Sequence, residues 1–151
     1  MRLAVSREMN DRAKRQAGFR SPLTRHEVIT THHSPGNPAP EERFLDAGGG
    51  VRLWVRRWRA ETDRTLILTH GLCEHSGRHE HIVPLLHERG WNVVLWDLRG
   101  HGRSTGRPRT HVERFEQYVS ALDAVRADAA SPPERTVLAG FSAGGLITAL
   151  F

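Results

Sequence analysis

The residues best suited to chemistry lie in the pentapeptide Gly140-Phe141-Ser142-Ala143-Gly144, near the end of the chain. It has the form G-x-S-x-G, in which a strand turns sharply into a helix and presents a serine hydroxyl at the apex. Residues two positions before and after that serine must be small, and Gly140 and Gly144 meet this need. The spacing predicts Ser142 as a nucleophile for acyl transfer. An idle serine in a glycine-rich turn is the alternative interpretation.

A second motif, His70-Gly71-Leu72, supplies what acyl transfer needs next. Two N–H groups must point at the oxygen that becomes negative in the transition state. One is expected from Ala143, directly after the serine, and the other from Leu72, because Gly71 lets the backbone come close. We interpret His70 as a hydrogen-bonded histidine that supports this loop, since a base placed before the nucleophile breaks the order Ser, Asp/Glu, His.

Residues 97–104, Asp-Leu-Arg-Gly-His-Gly-Arg-Ser, form a third polar and glycine-rich segment. Its glycines nearly match a dinucleotide-binding fingerprint, but the third glycine, Gly106, comes one position late and Arg-Pro follows it. We therefore reject a nucleotide-binding role. The segment is expected to be a hydrogen-bonded structural loop built by Asp97, Arg99 and His101.

Ten histidines raise the question of a metal site. The sequence His-Glu begins at His26, His79 and His87, but none of the three extends to the zinc motif H-E-x-x-H. His75 has the i,i+4 spacing to His79, without a clear carboxylate or cysteine partner set. We therefore predict no metal. No cofactor is expected either, because the nucleophile, base and oxyanion donors of this chemistry are all protein groups.

Each of the three motifs follows a short apolar run, at residues 65–69, 92–96 and 136–139. Strands that are buried on both faces of a sheet have this composition. Helical patterns at residues 81–89 and 112–129 separate the runs, and such alternation predicts βαβ crossovers and a mostly parallel sheet with flanking helices. Ligands of such sheets bind at the carboxyl ends of the strands. The sequence therefore predicts an α/β fold whose three motifs share one edge.

Two further strands are predicted ahead of these runs. Residues 43–45 suit a short first strand, and three glycines at 48–50 make a turn. Residues 51–58 then alternate apolar and polar side chains with a period of two. That period is typical of a half-buried strand, which we expect to be antiparallel and near an edge of the sheet.

Composition and charge limit the function classes. A chain of 151 residues, 38% hydrophobic and 26% charged, suits one soluble globular domain without a membrane span. Residues 1–40 carry +4 of the net charge of +5, so we predict a disordered basic tail and linker there and a folded domain at 41–151. The nearly neutral domain argues against nucleic-acid binding. A single cysteine, Cys73, and the lack of a secretory signal favour the cytoplasm.

Together, residues 70–78, 97–104 and 140–145 resemble the monoacylglycerol lipase and lysophospholipase group of α/β-hydrolases, often described as serine aminopeptidase-like. The resemblance covers residues 43–151. It implies the α/β-hydrolase fold and a serine esterase that acts through an acyl-enzyme on a lipid-like, small-molecule ester. Two departures stand out. The group usually has His-Ser-Met where residues 141–143 read Phe-Ser-Ala, and it usually has tyrosine where this chain has His79.

The resemblance also implies a catalytic acid, a catalytic histidine and a lid well beyond the nucleophile, and these are absent from this chain. We therefore expect only the N-terminal half of the fold, with an open apolar sheet edge at residues 136–139. The chain alone is predicted to be poorly soluble and to hydrolyse no ester above background. Peripheral membrane contact is expected through the lid. Two alternatives stay open, namely a non-catalytic product of a truncated gene and a peptidase of the same fold.

Overall fold

A computed structural model of the chain describes residues 38–151. The predicted tail and linker therefore lie, except for residues 38–40, outside the described residues. The elements alternate along the chain as β1 (Glu41–Asp46), β2 (Arg52–Trp58), β3 (Thr65–Thr69), a 3-10 helix (Ser76–Ile82), α1 (Val83–His87), β4 (Asn92–Trp96), α2 (Glu116–Ala129), a second 3-10 helix (Pro133–Arg135), β5 (Thr136–Gly140) and α3 (Ala143–Ala149).

The five strands form one sheet in the order β1-β2-β4-β3-β5. β2 is antiparallel to both of its neighbours, whereas β3 is parallel to β4 and to β5. Four strands therefore run in one direction, which confirms the predicted α/β class with a mostly parallel sheet. Thr69 is the register partner of both Trp96 and Gly140, so β3, β4 and β5 end at the same level. The three sequence motifs consequently start from one edge of the sheet.

Helices cover both faces of the sheet. Successive side chains of a strand point to opposite faces, and β4 shows this clearly. Its Val93 and Leu95 pack with Val83 of α1, while its Val94 and Trp96 pack with the buried side of α2 and with Ile147 of α3. None of the helices within residues 38–151 is long and apolar enough to cross a membrane.

The helix predicted at 112–129 begins later, at Glu116, and its buried stripe is richer than the sequence suggested. The apolar stripe predicted for this helix consists of Phe115, Val119, Leu122 and Val125. Leu122 and Val125 are buried, whereas Phe115 and Val119 are only partly buried. The other buried members of α2 are Tyr118, Ala121 and Ala129. The helix predicted at 81–89 is a 3-10 helix that starts at Ser76 and continues into the short α1. Element type was thus predicted better than element boundaries.

The prediction that β5 is buried on both faces is wrong for the described residues. β5 is the last strand of the sheet, and within residues 38–151 it pairs with β3 alone. Val137 is 43% exposed and Leu138 is partly exposed. An apolar run shows that the side chains of a strand can be buried. Whether they are buried depends on the neighbouring elements, which the run does not specify. The open apolar edge that the sequence analysis expected is present among these residues.

The prediction that residues 51–58 are half-buried is also wrong, because both faces of β2 are covered. Arg56, expected to face solvent, is 4% exposed. Its guanidinium donates to Glu80 Oε2 at 2.7 Å and lies over the Trp58 ring at 5.2 Å. On the same face, the guanidinium of Arg103 lies 3.7 Å from the centroid of the Trp54 ring, and the opposite face packs Leu53 and Val55 into the core. An arginine can be buried when its charge is paired and its guanidinium stacks on an aromatic ring. The alternation of apolar and polar residues therefore did not predict the burial of Arg56.

This burial predicts that Arg56→Ala lowers the free energy of unfolding by about 3 kcal/mol, because it leaves Glu80 without its partner and removes packing on Trp58. Chemical denaturation measures the change. Arg59→Ala is the matched control, since its ion pair with Glu41 is 57% and 56% exposed. It should cost less than about 1 kcal/mol. Equal effects of the two substitutions would contradict the structural role given to Arg56.

Candidate active site

The turn that carries Ser142, residues 140–144, joins β5 to α3 and is called the Ser142 turn below. Ser142 has φ 53° and ψ −120°, a left-handed backbone conformation that residues other than glycine rarely adopt. Such a conformation costs on the order of 1–3 kcal/mol and persists where its surroundings enforce it. The residue is exposed, and α3 begins directly after it. The exposed serine is therefore followed directly by the Ala143 N–H, which has no acceptor among residues 38–151, whereas the next three amides of the helix are hydrogen-bonded.

Two close backbone approaches enforce this conformation. A Cβ atom added at Gly140 would meet the carbonyl oxygen of Gly144 at less than 3.0 Å, a separation that real Cβ atoms essentially never show. A Cβ atom at Gly144 would meet Thr69 O in the same way. In addition, the Phe141 N–H donates to Thr69 O at 3.0 Å. The start of α3 thus packs directly on the end of β3, and only glycines fit at the two contacts.

The segment after β3, residues 70–74, is called the Gly71 loop, and it lies against the Ser142 turn. A Cβ atom at Gly71 would be 3.2 Å from Ser142 Cβ and 3.3 Å from Phe141 O. Among the hydrogen bonds of residues 38–151, none has the Leu72 N–H or the Ala143 N–H as donor. Both amides that the sequence predicts as oxyanion donors therefore lack an acceptor within these residues. Ala143 directly follows the serine, and Leu72 directly follows Gly71, which lies against it.

His70 is 1% exposed, and both of its ring nitrogens have partners. The Leu98 N–H donates to Nε2 at 2.9 Å, so the ring proton belongs on Nδ1, which donates to Gly71 O at 2.6 Å. Burial lowers the pKa of His70, which agrees with a neutral ring. The Gly71 carbonyl shares a trans peptide with the Leu72 N–H. Holding that carbonyl therefore points the N–H away from His70.

The segment 97–104 is a structural loop, as the sequence analysis expected. Asp97 is 2% exposed and accepts the Ser76 N–H on Oδ1 at 2.8 Å and the Arg103 N–H on Oδ2 at 2.7 Å. Ser104 Oγ donates to Asp97 O at 2.6 Å. His101 Nδ1 contacts Arg99 O at 3.0 Å. Asp97 thereby ties the end of β4 to the 3-10 helix that follows the Gly71 loop.

Sequence reasoning gave no role to Glu74, which the structure brings into the Gly71 loop. Its Oε1 accepts the Gly71 N–H at 2.6 Å and lies 3.2 Å from His79 Nε2. Burial alone would raise the pKa of Glu74, but the bonds from Gly71 and His79 outweigh it and lower the pKa. In the sequence, the segment Glu-His-Ser-Gly-Arg at residues 74–78 contributed only to the family resemblance. A glutamate binds the amide three residues before it in a helix capping box, but no helix was predicted to start at Gly71, so that spacing was not interpreted in this way.

The described residues do not assemble a complete catalytic set around Ser142. No histidine ring in residues 38–151 makes a hydrogen bond with Ser142 Oγ; their ring bonds go to backbone atoms or to Glu74. The same part of the chain contains no group of three or more His, Cys, Asp or Glu residues that could hold a metal ion. What the site brings together is an exposed serine and two free amides.

The close packing of the Ser142 turn predicts opposite effects for two neighbouring glycines. Gly144→Ala should lower the free energy of unfolding by more than about 2 kcal/mol, because the new Cβ overlaps the carbonyl groups at the end of β3. Gly145→Ala meets nothing closer than 3.4 Å and should raise stability by about 0.5–1 kcal/mol through helix propensity. Chemical denaturation compares them. A tolerated Gly144→Ala would contradict this packing.

The lowered pKa of His70 predicts a loss of stability in acid. The unfolded state takes up a proton near the ordinary value of 6.5, while the folded state resists it. The stability that His70 contributes is therefore fully present above pH 6.5. It is lost as the pH falls below 6.5 and through the folded-state pKa of His70. Unfolding free energies of wild type and His70→Gln, measured from about pH 7.5 to about pH 5, should converge on acidification. A constant difference would contradict the neutral buried ring.

The chain is similar to proteins of known family over most of its described length. Residues 60–151 match the family profile described as Serine aminopeptidase, S33. A monoacylglycerol lipase of Mycolicibacterium smegmatis is 35% identical over 101 residues, 64% of this chain and 36% of the relative. Phospholipase YtpA of Bacillus subtilis is 32% identical over 96 residues, 63% of this chain and 36% of the relative. The chain thus spans 36% of the length of both relatives.

Solved structures show the same fold. The thioesterase domain from the curacin biosynthetic pathway has a TM-score of 0.63 and 26% identity, over 73% of this chain and 40% of that one. Epoxide hydrolase A from Mycobacterium thermoresistibile has a TM-score of 0.62 and 25% identity, over 73% and 34%. These similarities confirm the resemblance noted in the sequence. The chain therefore belongs to the serine aminopeptidase S33 family of α/β-hydrolases.

Proposed function

We propose that this protein is a serine hydrolase of carboxylic esters that acts through an acyl-enzyme on Ser142. The observation that carries the proposal is the position of Ser142, exposed at a strained strand-to-helix turn. The N–H groups of Ala143, the next residue, and of Leu72, in the adjoining Gly71 loop, have no acceptor among residues 38–151. That arrangement suits attack on a carbonyl carbon, because the two amides can accept the charge that develops on its oxygen.

The proposed reaction has two steps. Ser142 Oγ attacks the ester carbonyl, the oxyanion accepts hydrogen bonds from Leu72 and Ala143, and the alcohol leaves with a proton. Water then attacks the acyl-enzyme in the same way and releases the acid. The base in this fold is a histidine that follows the nucleophile and an acid in the sequence. Residues 143–151 contain neither, so the proposal takes both from sequence beyond Phe151.

A lipid-like acyl group fits the surface around the serine. Leu72 is 49% exposed and Phe141 is 57% exposed, and both adjoin the contact between Gly71 and Ser142. Leu146, on the first turn of α3, is 53% exposed. Apolar side chains beside a nucleophile can bind an acyl chain by burying its surface. The relatives named as a monoacylglycerol lipase and a phospholipase support the same substrate class.

Two further properties belong to the proposal. The chemistry needs no cofactor, since protein groups supply every role in it. The single cysteine of the chain, Cys73, is consistent with a reducing compartment, and we place the protein in the cytoplasm.

The test compares p-nitrophenyl butyrate with an aminoacyl p-nitroanilide, using the protein expressed from its complete open reading frame. Esters should be hydrolysed, and Ser142→Ala should lower kcat by about a thousandfold or more. Ser120→Ala, an exposed serine on α2, is the matched control and should leave kcat unchanged. The 151-residue chain assayed alone should not exceed the Ser142→Ala background, because no histidine in residues 38–151 makes a hydrogen bond with Ser142 Oγ.

Each contrary result identifies a different alternative. Turnover of the anilide without turnover of the ester would indicate a peptidase of the same fold. Wild-type protein that is no faster than Ser142→Ala would indicate a non-catalytic protein. Ester hydrolysis by the 151-residue chain, abolished by Ser142→Ala, would show that a base lies within that chain.

A further inference from the structure

Gly71 is held by hydrogen bonds on both of its peptide groups. The Glu74 carboxylate accepts its N–H at 2.6 Å, and His70 Nδ1 binds its carbonyl oxygen at 2.6 Å. That carbonyl shares a rigid peptide plane with the Leu72 N–H, one of the two proposed oxyanion donors. The direction of the Leu72 N–H therefore depends on two hydrogen bonds of Gly71. His70 binds the Gly71 carbonyl, and Glu74 accepts the Gly71 N–H.

Glu74 places a negative charge close to the proposed oxyanion. A Cβ atom at Gly71 would be 3.1 Å from Glu74 Oε1 and 3.2 Å from Ser142 Cβ, so both groups lie next to the same point. The Glu74 side chain is 11% exposed, which limits screening by solvent. The carboxylate contributes to the loop geometry only while it stays on the Gly71 amide. A second group that holds Glu74 in this position would therefore act on the oxyanion hole.

His79 is the largely buried side chain that contacts the Glu74 carboxylate. Its Nε2 lies 3.2 Å from the same Oε1 of Glu74, its side chain is 14% exposed, and its ring packs against Phe141 with centroids 5.7 Å apart. The other charged group facing the carboxylate is Arg78, 3.5 Å from Oε2 and 68% exposed, so water screens it. His70 also faces this loop, as a buried ring whose pKa is lowered.

We propose that His79 is a positioning residue that holds the Glu74 carboxylate on the Gly71 amide and, through Gly71, orients the Leu72 N–H of the oxyanion hole. Its catalytic consequence rests on the proposed function, whereas the linkage itself does not. The tyrosine usual at this position in the group can donate a hydrogen bond to the same carboxylate through its hydroxyl group.

The linkage is tested by NMR on the ¹⁵N-labelled protein from the complete open reading frame. The Gly71 amide proton donates to a carboxylate and should resonate downfield. In His79→Phe, which removes the donor to Glu74, it should move upfield and exchange faster with solvent. His79→Gln, which keeps a donor, should retain most of the wild-type shift. His81→Gln is the matched control, because His81 is exposed in the same 3-10 helix and binds Arg78 O instead. A Gly71 amide resonance that is the same in wild type and His79→Phe would overturn the proposal.

The catalytic consequence is tested by measuring kcat and KM in the same proteins. His79→Phe, which removes the bond to Glu74, should lower kcat about tenfold, with KM changed less than about twofold. His79→Tyr and His79→Gln, which can donate to Glu74, should keep kcat within about threefold of wild type. A wild-type kcat in His79→Phe, or no recovery of kcat in both His79→Tyr and His79→Gln, would overturn the positioning role.

The two experiments also separate this inference from the proposed function. Protein without any Ser142-dependent turnover would refute the esterase proposal and, with it, a catalytic effect of His79. The NMR comparison of wild type with His79→Phe and His79→Gln would still decide whether His79 controls the Gly71 amide through Glu74.

Discussion

The rest of the site depends on one constraint, the contact between the Ser142 turn and the end of β3. Gly144 lies so close to the Thr69 carbonyl that no Cβ fits, and the Phe141 N–H donates to the same oxygen. This contact holds Ser142 in a left-handed conformation that an isolated chain would avoid. It also brings the Gly71 loop beside the serine. One backbone approach therefore fixes both the exposed hydroxyl and the first oxyanion donor.

Buried polar groups stabilise this arrangement from below. His70 and Asp97 are nearly inaccessible to solvent, and each uses its hydrogen-bonding atoms on backbone groups of loops that follow parallel strands. Buried donors and acceptors that are fully paired specify one geometry, since any slip leaves a costly unpaired group. The loops after β3 and β4 are consequently locked to each other before any substrate binds, which is what preorganised stabilisation of an oxyanion requires.

The sequence predicted what local patterns encode. The apolar runs located β3, β4 and β5, and the glycines at 140 and 144 located the turn, because each of these signals lies within a few residues. The burial of Arg56, the exposure of Val137 and the bond from Gly71 to Glu74 were not predicted. These three depend on pairing partners that are distant in sequence or on loop geometry, and no local period records them.

The central claim is that Ser142 is a nucleophile flanked by two oxyanion donors, and one crystal structure would test it most directly. The protein from the complete open reading frame is treated with a phosphonate ester, whose adduct mimics the tetrahedral intermediate. The account predicts phosphorus bonded to Ser142 Oγ, with its oxygen about 3 Å from the amide nitrogens of Leu72 and Ala143. An adduct on another residue, or a phosphonyl oxygen turned away from both amides, would contradict it.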